Sequence, residues 1–229
     1  MILHVLERAL AARNIARAIV ATDDERIIQA VKAAGYEAKI TRNDHLSGSD
    51  RLAEVAATLD GVDVIVNLQG DEPLISPSTI ERAVDELLKD DQAQIVTTSE
   101  AIEDVADVLS ADVVKVVAGA DGHALYFSRS PIPFPRDAVQ RYGTLPAALE
   151  KEPVLLQGFR KHTGLYVYRR AFLLEYTSWP QSELERAEAL EQLRALERGA
   201  IIKVIEADSP SIGVDTEHDL ERVRKIMEV

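Results

Sequence analysis

Apolar residues recur at helical spacing in some stretches of this chain and in short unbroken runs in others, and the two patterns alternate. Leu3, Leu6, Ala9 and Leu10 share one helical face, and residues 18–21 then read as a short apolar strand. Thr22 followed by Glu25 has the form of a capping box. It predicts a helix carrying Ile27, Ile28, Ala30 and Val31 that stops near Gly35. A second strand is expected over 36–40. The polar stretch 41–50 separates it from a helical face of Leu52, Val55, Ala56 and Leu59. Residues 64–73 run from an apolar strand straight into a polar turn. Ser76, with Pro77 at the first helical position, starts a helix carrying Ile80, Val84, Leu87 and Leu88. Strands at 95–98 and 113–117 flank a short helix.

The second half is less regular. Residues 131–158 hold Pro131, Pro133, Pro135, Pro146 and Pro153 and few periodic apolar positions, so this stretch reads as a long excursion, either functional or disordered. Residues 161–168 alternate as a strand that places His162, Gly164, Tyr166 and Tyr168 on one face. Ser182 and Glu185 form a second capping box. The helix after it is expected to align Leu184, Ala187, Glu191 and Ala195 on one stripe. A strand over 201–205 and a last helix with Leu220, Val223 and Ile226 close the pattern. Such alternation predicts an α/β fold: one domain over 1–229, three layers α/β/α, with helices on both faces of a mostly parallel sheet.

Bulk properties narrow the function. A chain of 229 residues with 46% hydrophobic and 28% charged residues suits one sizeable soluble core. No apolar run approaches the roughly 18 residues of a membrane span, and no secretory leader opens the sequence. Without cysteine, thiolate chemistry and disulfides are excluded, and a cytoplasmic setting is expected. A net charge of −13 argues against wrapping nucleic acid but leaves room for a local basic pocket that takes a small anion.

Candidate chemistry gathers where strands end. In open α/β sheets ligands sit beyond the carboxyl ends of strands, which offers Gln69, Asp71 and Glu72 to a substrate or metal. The same residues also suit a solvated Gly-Asp turn. Asp215, just before the last helix, is placed either to cap it or to join Asp71 around an oxygen-loving cation such as Mg²⁺. Glu191 on its apolar stripe must be paired, face a cleft or face water. His162 with Tyr166 suggests a pocket wall.

Seven short strings then coincide with a known family. They are Val20-Ala-Thr-Asp23, Thr41-Arg-Asn-Asp-His-Leu-Ser-Gly-Ser-Asp-Arg51, Val66-Asn-Leu-Gln-Gly-Asp-Glu-Pro73, Tyr126-Phe-Ser-Arg129, Lys161-His-Thr-Gly-Leu-Tyr166, Leu190-Glu-Gln-Leu-Arg194 and Gly213-Val-Asp-Thr216. In order and spacing they resemble the CMP-KDO synthetases, the 3-deoxy-manno-octulosonate cytidylyltransferases, over essentially the whole chain.

The resemblance implies a nucleotide-diphospho-sugar transferase fold and transfer of CMP from CTP to the anomeric hydroxyl of KDO, with pyrophosphate released, in lipopolysaccharide synthesis. By matching position, Asp71 and Asp215 would hold Mg²⁺. Ala21, Asp23, Ser47, Gly48 and Arg51 would contact the cytidine end. Gln69, Arg129, His162, Tyr166, Glu191 and Gln192 would line the sugar pocket, with Arg129 facing the KDO carboxylate. The family forms homodimers. It also carries, ahead of the residue matching Met1, a strand and a basic Gly-Lys-Pro loop that grips the triphosphate. Without that loop, weak CTP binding and slow turnover are expected of these 229 residues. A cytidylyltransferase for an 8-amino KDO analogue, or an inactive binding or dimerisation module, are the alternatives.

Overall fold

The helical face at the amino end becomes α1 (Ile2–Ala11), which buries Val5, Leu6 and Ala9. The structure is a computed structural model and describes residues 1–45, 47–210, 212–214 and 216–227. The chain folds as two compact units interleaved in sequence: residues 1–96, 164–180 and 208–229 form one, and 97–163 with 181–207 form the other.

In the first unit, β1 (Ile19–Thr22) and β2 (Glu37–Ile40) pair in parallel, with α2 (Glu25–Ala33) between them in sequence. Leu6, Val20 and Val31 form a buried cluster joined by Ile2, Leu3, Ala18, Tyr36 and Ala38. The cap of α2 differs from expectation. Asp24, not Thr22, accepts from the Arg26 amide, and the Thr22 hydroxyl accepts from the Asp24 amide instead. An Asx turn two residues nearer the helix wins because its carboxylate reaches the first free amides. Gly35 does end the segment, with a φ of +83° that a side chain rarely tolerates.

Then come α3 (Gly48–Ala57), β3 (Val64–Asn67) and α4 (Pro77–Lys89). Pro77 sits at the start of α4 as its spacing predicts. Downstream, β7 (Arg160–Arg169) pairs antiparallel with β3, from Val64↔Arg169 to Asn67↔Tyr166. Arg169 donates to the carbonyls of Leu87, Asp90 and Ala93, closing the end of α4. The unit also holds α8 (Arg170–Tyr176) and α11 (Glu217–Met227).

The second unit takes up the chain within β4 (Ile95–Ala101), a strand longer than expected. It continues through α5 (Val105–Leu109), β5 (Lys115–Ala118) and β6 (Ala124–Ser128). A tight turn between Gly119 and Gly122 folds β5 and β6 into an antiparallel hairpin. The sequence pattern had not separated β6 from its surroundings. Strand β5 also pairs antiparallel with β7, at Lys115↔Lys161. The α/β class therefore holds with mixed pairing: parallel at β1–β2, antiparallel at β3–β7, β5–β6 and β5–β7.

Past an irregular stretch at 131–135, the proline-bearing excursion is helical. It forms α6 (Arg136–Tyr142), α7 (Leu145–Lys151) and the 3₁₀ helix Pro153–Gly158. Pro146 and Pro153 stand in first turns, where a missing N–H removes no helical bond. Leu149 joins Ile102, Val108 and Phe159 in the core of this unit.

The stripe expected after Ser182 also breaks. Ser182 and Glu185 do make the capping box, but the helix stops as α9 (Glu183–Glu188) and restarts as α10 (Gln192–Glu197). Between them Ala189 adopts φ +51° and ψ +50°. Leu184 is exposed, while Glu185 and Leu190 are buried. The last strand is β8 (Ile202–Glu206), whose end meets β4 through the Ala207 amide and Ser99 carbonyl.

Candidate active site

Each unit brings together a different set of the residues singled out in the sequence. In the first, the ends of β1 and β2 meet the start of α3. Ser47 caps α3 by accepting from the Asp50 amide. This fixes the helix so that Arg51, one turn in, lies 3.3 Å from the Asp23 carboxylate and donates to the Thr41 hydroxyl at 2.5 Å. Asp23 follows β1 and Thr41 follows β2, so one guanidinium ties both strand ends to the helix. Ala21 is half-buried on β1, and Gly48 opens α3 with an exposed backbone. A helix N-terminus beside a guanidinium suits an anionic or polar group.

The second gathering in this unit lies past β3. The Asp71 carbonyl accepts from the Val214 amide at 2.9 Å, which ties the turn after β3 to the segment before α11. Asp215 itself lies outside the described residues. At the start of α11 the Thr216 hydroxyl accepts from the Asp219 amide, and the Asp219 carboxylate accepts from the Thr216 amide. Gly164 on β7 is approached closely, because a Cβ there would stand 2.9 Å from both Gln69 Cγ and Glu72 Oε1. Any larger residue there would make those two side chains shift. Tyr166 stacks on Tyr168 at 5.8 Å, and the Tyr168 hydroxyl lies 3.4 Å from Ser49 Oγ on α3.

The second unit holds Arg129, His162, Glu191 and Gln192. Arg129 is engaged with main chain: Nε donates to the Glu188 carbonyl at 2.7 Å, Nη1 to Ala111 at 2.8 Å and Nη2 to Ala189 at 3.4 Å. Its own amide donates to the Glu188 carboxylate. Glu191 precedes α10 and Gln192 opens it. The buried Gln192 side chain, 5% exposed, carries an amide nitrogen with no hydrogen-bond partner among the described residues. Buried amides are seldom left so, and this nitrogen keeps its donor capacity.

His162 shares an edge with the Phe127 ring at 5.1 Å, and its Nε2 lies 2.8 Å from the Thr97 hydroxyl. Burial pushes its imidazole down to about 3, so it stays neutral at ordinary pH. Sequence reasoning missed Lys115 and Glu188, which hold Arg129 in place. The signal for Lys115 was present: one charge inside the apolar run 113–117.

The sequence profile described as "Cytidylyltransferase" matches residues 1–205. The chain belongs to the cytidylyltransferase family. Within that family it is similar to the 3-deoxy-manno-octulosonate cytidylyltransferase of Pelobacter propionicus, 52% identical over 98% of this chain and 86% of the relative. The enzyme of the same name from Geobacter sulfurreducens is 49% identical over 97% of this chain and 87% of its own. Among solved structures, CMP:2-keto-3-deoxy-manno-octonic acid synthetase complexed with CTP superposes with a TM-score of 0.86 at 43% identity, covering 99% of this chain and 87% of that one. A 4-diphosphocytidyl-2C-methyl-D-erythritol synthase from Anaerococcus prevotii, 14% identical with a TM-score of 0.61, shares the fold. The family resemblance carried by the seven strings therefore holds, and with it the α/β cytidylyltransferase architecture.

Proposed function

We propose that this chain transfers CMP from CTP to the anomeric hydroxyl of KDO, with pyrophosphate leaving, and that it does so with Mg²⁺. The observation that carries the reading is the 2.9 Å bond from the Val214 amide to the Asp71 carbonyl, which brings the segment before Asp215 to the turn after β3. The donor set suits a hard cation. Asp71 offers carboxylate oxygen, and among the described residues no three His, Cys, Asp or Glu side chains gather as a metal group. Mg²⁺ is commonly held by so few protein oxygens, with substrate phosphate and water completing its shell. Asp71 and Asp215 would hold it, and it would supply charge neutralisation at the triphosphate and acidify the attacking hydroxyl.

The protein's own part is alignment. Arg51, steadied by Asp23 and Thr41, and the capped start of α3 would receive the cytidine end with Ala21, Ser47 and Gly48. Arg129, His162, Glu191 and Gln192, all carried by the second unit, would hold the sugar. Neutral His162 serves there as a hydrogen-bond partner for a hydroxyl, not as a charge. Holding two reactants in register accounts for much of the barrier lowering in such in-line transfers.

By the same family resemblance it would work as a cytoplasmic homodimer. Among the described residues no helix is long and apolar enough to cross a membrane. The test is pyrophosphate release from CTP with KDO and Mg²⁺. Release that needs all three components is expected, and ceases with EDTA. Absence of release with every component present overturns the reading. Running the 8-amino analogue beside KDO separates the two sugars.

A further inference from the structure

Lys115 is a charged side chain with no exposed surface, and the mechanism above makes no use of it. It stands at the start of β5, where both it and Val116 are buried. Its Nζ donates to three main-chain carbonyls: Ser110 at 2.7 Å, Val113 at 2.6 Å and Arg129 at 2.5 Å. An ammonium has three donors, and all are used. Burial and the nearby Arg129 charge pull the ammonium below its usual range, while Glu188 and Asp107 pull the other way. A buried cation held mainly by neutral oxygens is a poor device for stability alone.

What it holds is more telling. The third carbonyl belongs to Arg129, whose amide and guanidinium together grip Glu188 and Ala189. The Ser128 hydroxyl adds a 2.7 Å bond to the other Glu188 oxygen. These contacts fall on the turn where Ala189 is forced to φ +51°. A non-glycine residue in that region is strained, so the turn persists only while its surroundings impose it. Two residues later come Glu191 and then Gln192 with its unpartnered amide.

We infer that Lys115 is a positioning residue for the sugar-binding end: it fixes the Arg129 main chain, and through Arg129 and Glu188 the left-handed turn that aims Glu191 and Gln192. The inference rests on the proposed function, because it assigns those two residues to the acceptor sugar.

The experiment measures KM for CTP and for KDO separately, with the full chain carrying Lys115→Met. Loss of the tripod is expected to raise KM for KDO about tenfold, with KM for CTP held within about twofold. Glu188→Gln, which keeps shape but loses charge, is expected to give the same split and carries the test if Lys115→Met does not fold. Equal changes in both KM values, or none, overturn the inference while leaving the function standing. A wild-type chain that does not turn over KDO overturns the function itself, and the inference with it.

Discussion

The amide of Val214 donates to the carbonyl of Asp71 across 143 positions of sequence, at 2.9 Å. Through this bond the turn after β3 and the approach to α11 share one place in the first unit. Because Asp71 makes the contact with its main chain, its carboxylate is not spent on it. Asp71→Asn is therefore expected to fold normally, with an unfolding midpoint within about 2 °C of the wild type. On the proposed role of Asp71 as a Mg²⁺ ligand, turnover is expected to fall by about a hundredfold or more. Calorimetry with CTP in the presence and absence of Mg²⁺ checks the same point without turnover. Metal-dependent binding that survives the substitution unchanged counts against the role.

The unpartnered Gln192 amide leads to an expectation with opposite signs. Replacing Gln192 by Met removes a buried donor that the folded chain leaves unsatisfied. Stability is expected to hold or to rise by about 1 kcal/mol, because an unmet buried polar group costs roughly that much. Affinity for the sugar moves the other way, with KM for KDO rising about tenfold. Urea unfolding and steady-state kinetics on one preparation decide it. A loss of stability shows that the amide is satisfied within the protein.

Much of the fold could be read from the chain because burial imposes its period directly. The faces at Leu3–Leu10, Ile80–Leu88 and the apolar run at 64–67 became α1, α4 and β3. The cap at Ser182–Glu185 was legible for the same local reason. What failed depends on contacts distant in sequence. Ala189 carries no glycine-like signal; its left-handed turn is held by Arg129, 60 residues upstream. The prolines of 131–158 look like loop punctuation, yet Pro146 and Pro153 sit where helices begin. Asp71 and Gln69 stood out as candidates because a strand end is a general ligand site. Glu188 could not, because nothing local distinguishes it from a solvated glutamate.

His162 gives an expectation about pH. Its folded pKa of about 3 lies below the unfolded value near 6.5. Between these values the unfolded chain binds the extra proton, so stability rises with pH through that window and is complete above it. His162→Gln keeps a polar group near Thr97 but cannot titrate. Its stability is expected to lose a slope of about 1.4 kcal/mol per pH unit between roughly pH 4 and 6. Denaturant titrations of both proteins at pH 4, 5, 6 and 7 measure the difference. Parallel curves would mean that the imidazole is solvated and protonates normally in the folded protein.

The buried pair Glu185–Arg194 combines both themes. Each side chain is 3% exposed, with the guanidinium nitrogens 2.5 and 2.7 Å from the carboxylate oxygens. Burial pushes Glu185 up, but Arg194 and the Ser182 amide outweigh it and leave the carboxyl below its usual range. A carboxylate lowered in the folded state stabilises above the unfolded pKa and loses that contribution as pH falls through the folded value. Arg194→Met is expected to cost about 3–5 kcal/mol at pH 7, because it strands a buried charge inside the α9 capping box. The double variant Glu185→Met with Arg194→Met is expected to recover most of that loss, since an apolar pair of similar volume leaves no charge to desolvate. Urea unfolding of the two single variants and the double variant closes the cycle. Additive losses show two independent groups; recovery shows that α9 and α10 are joined here for geometry more than for energy.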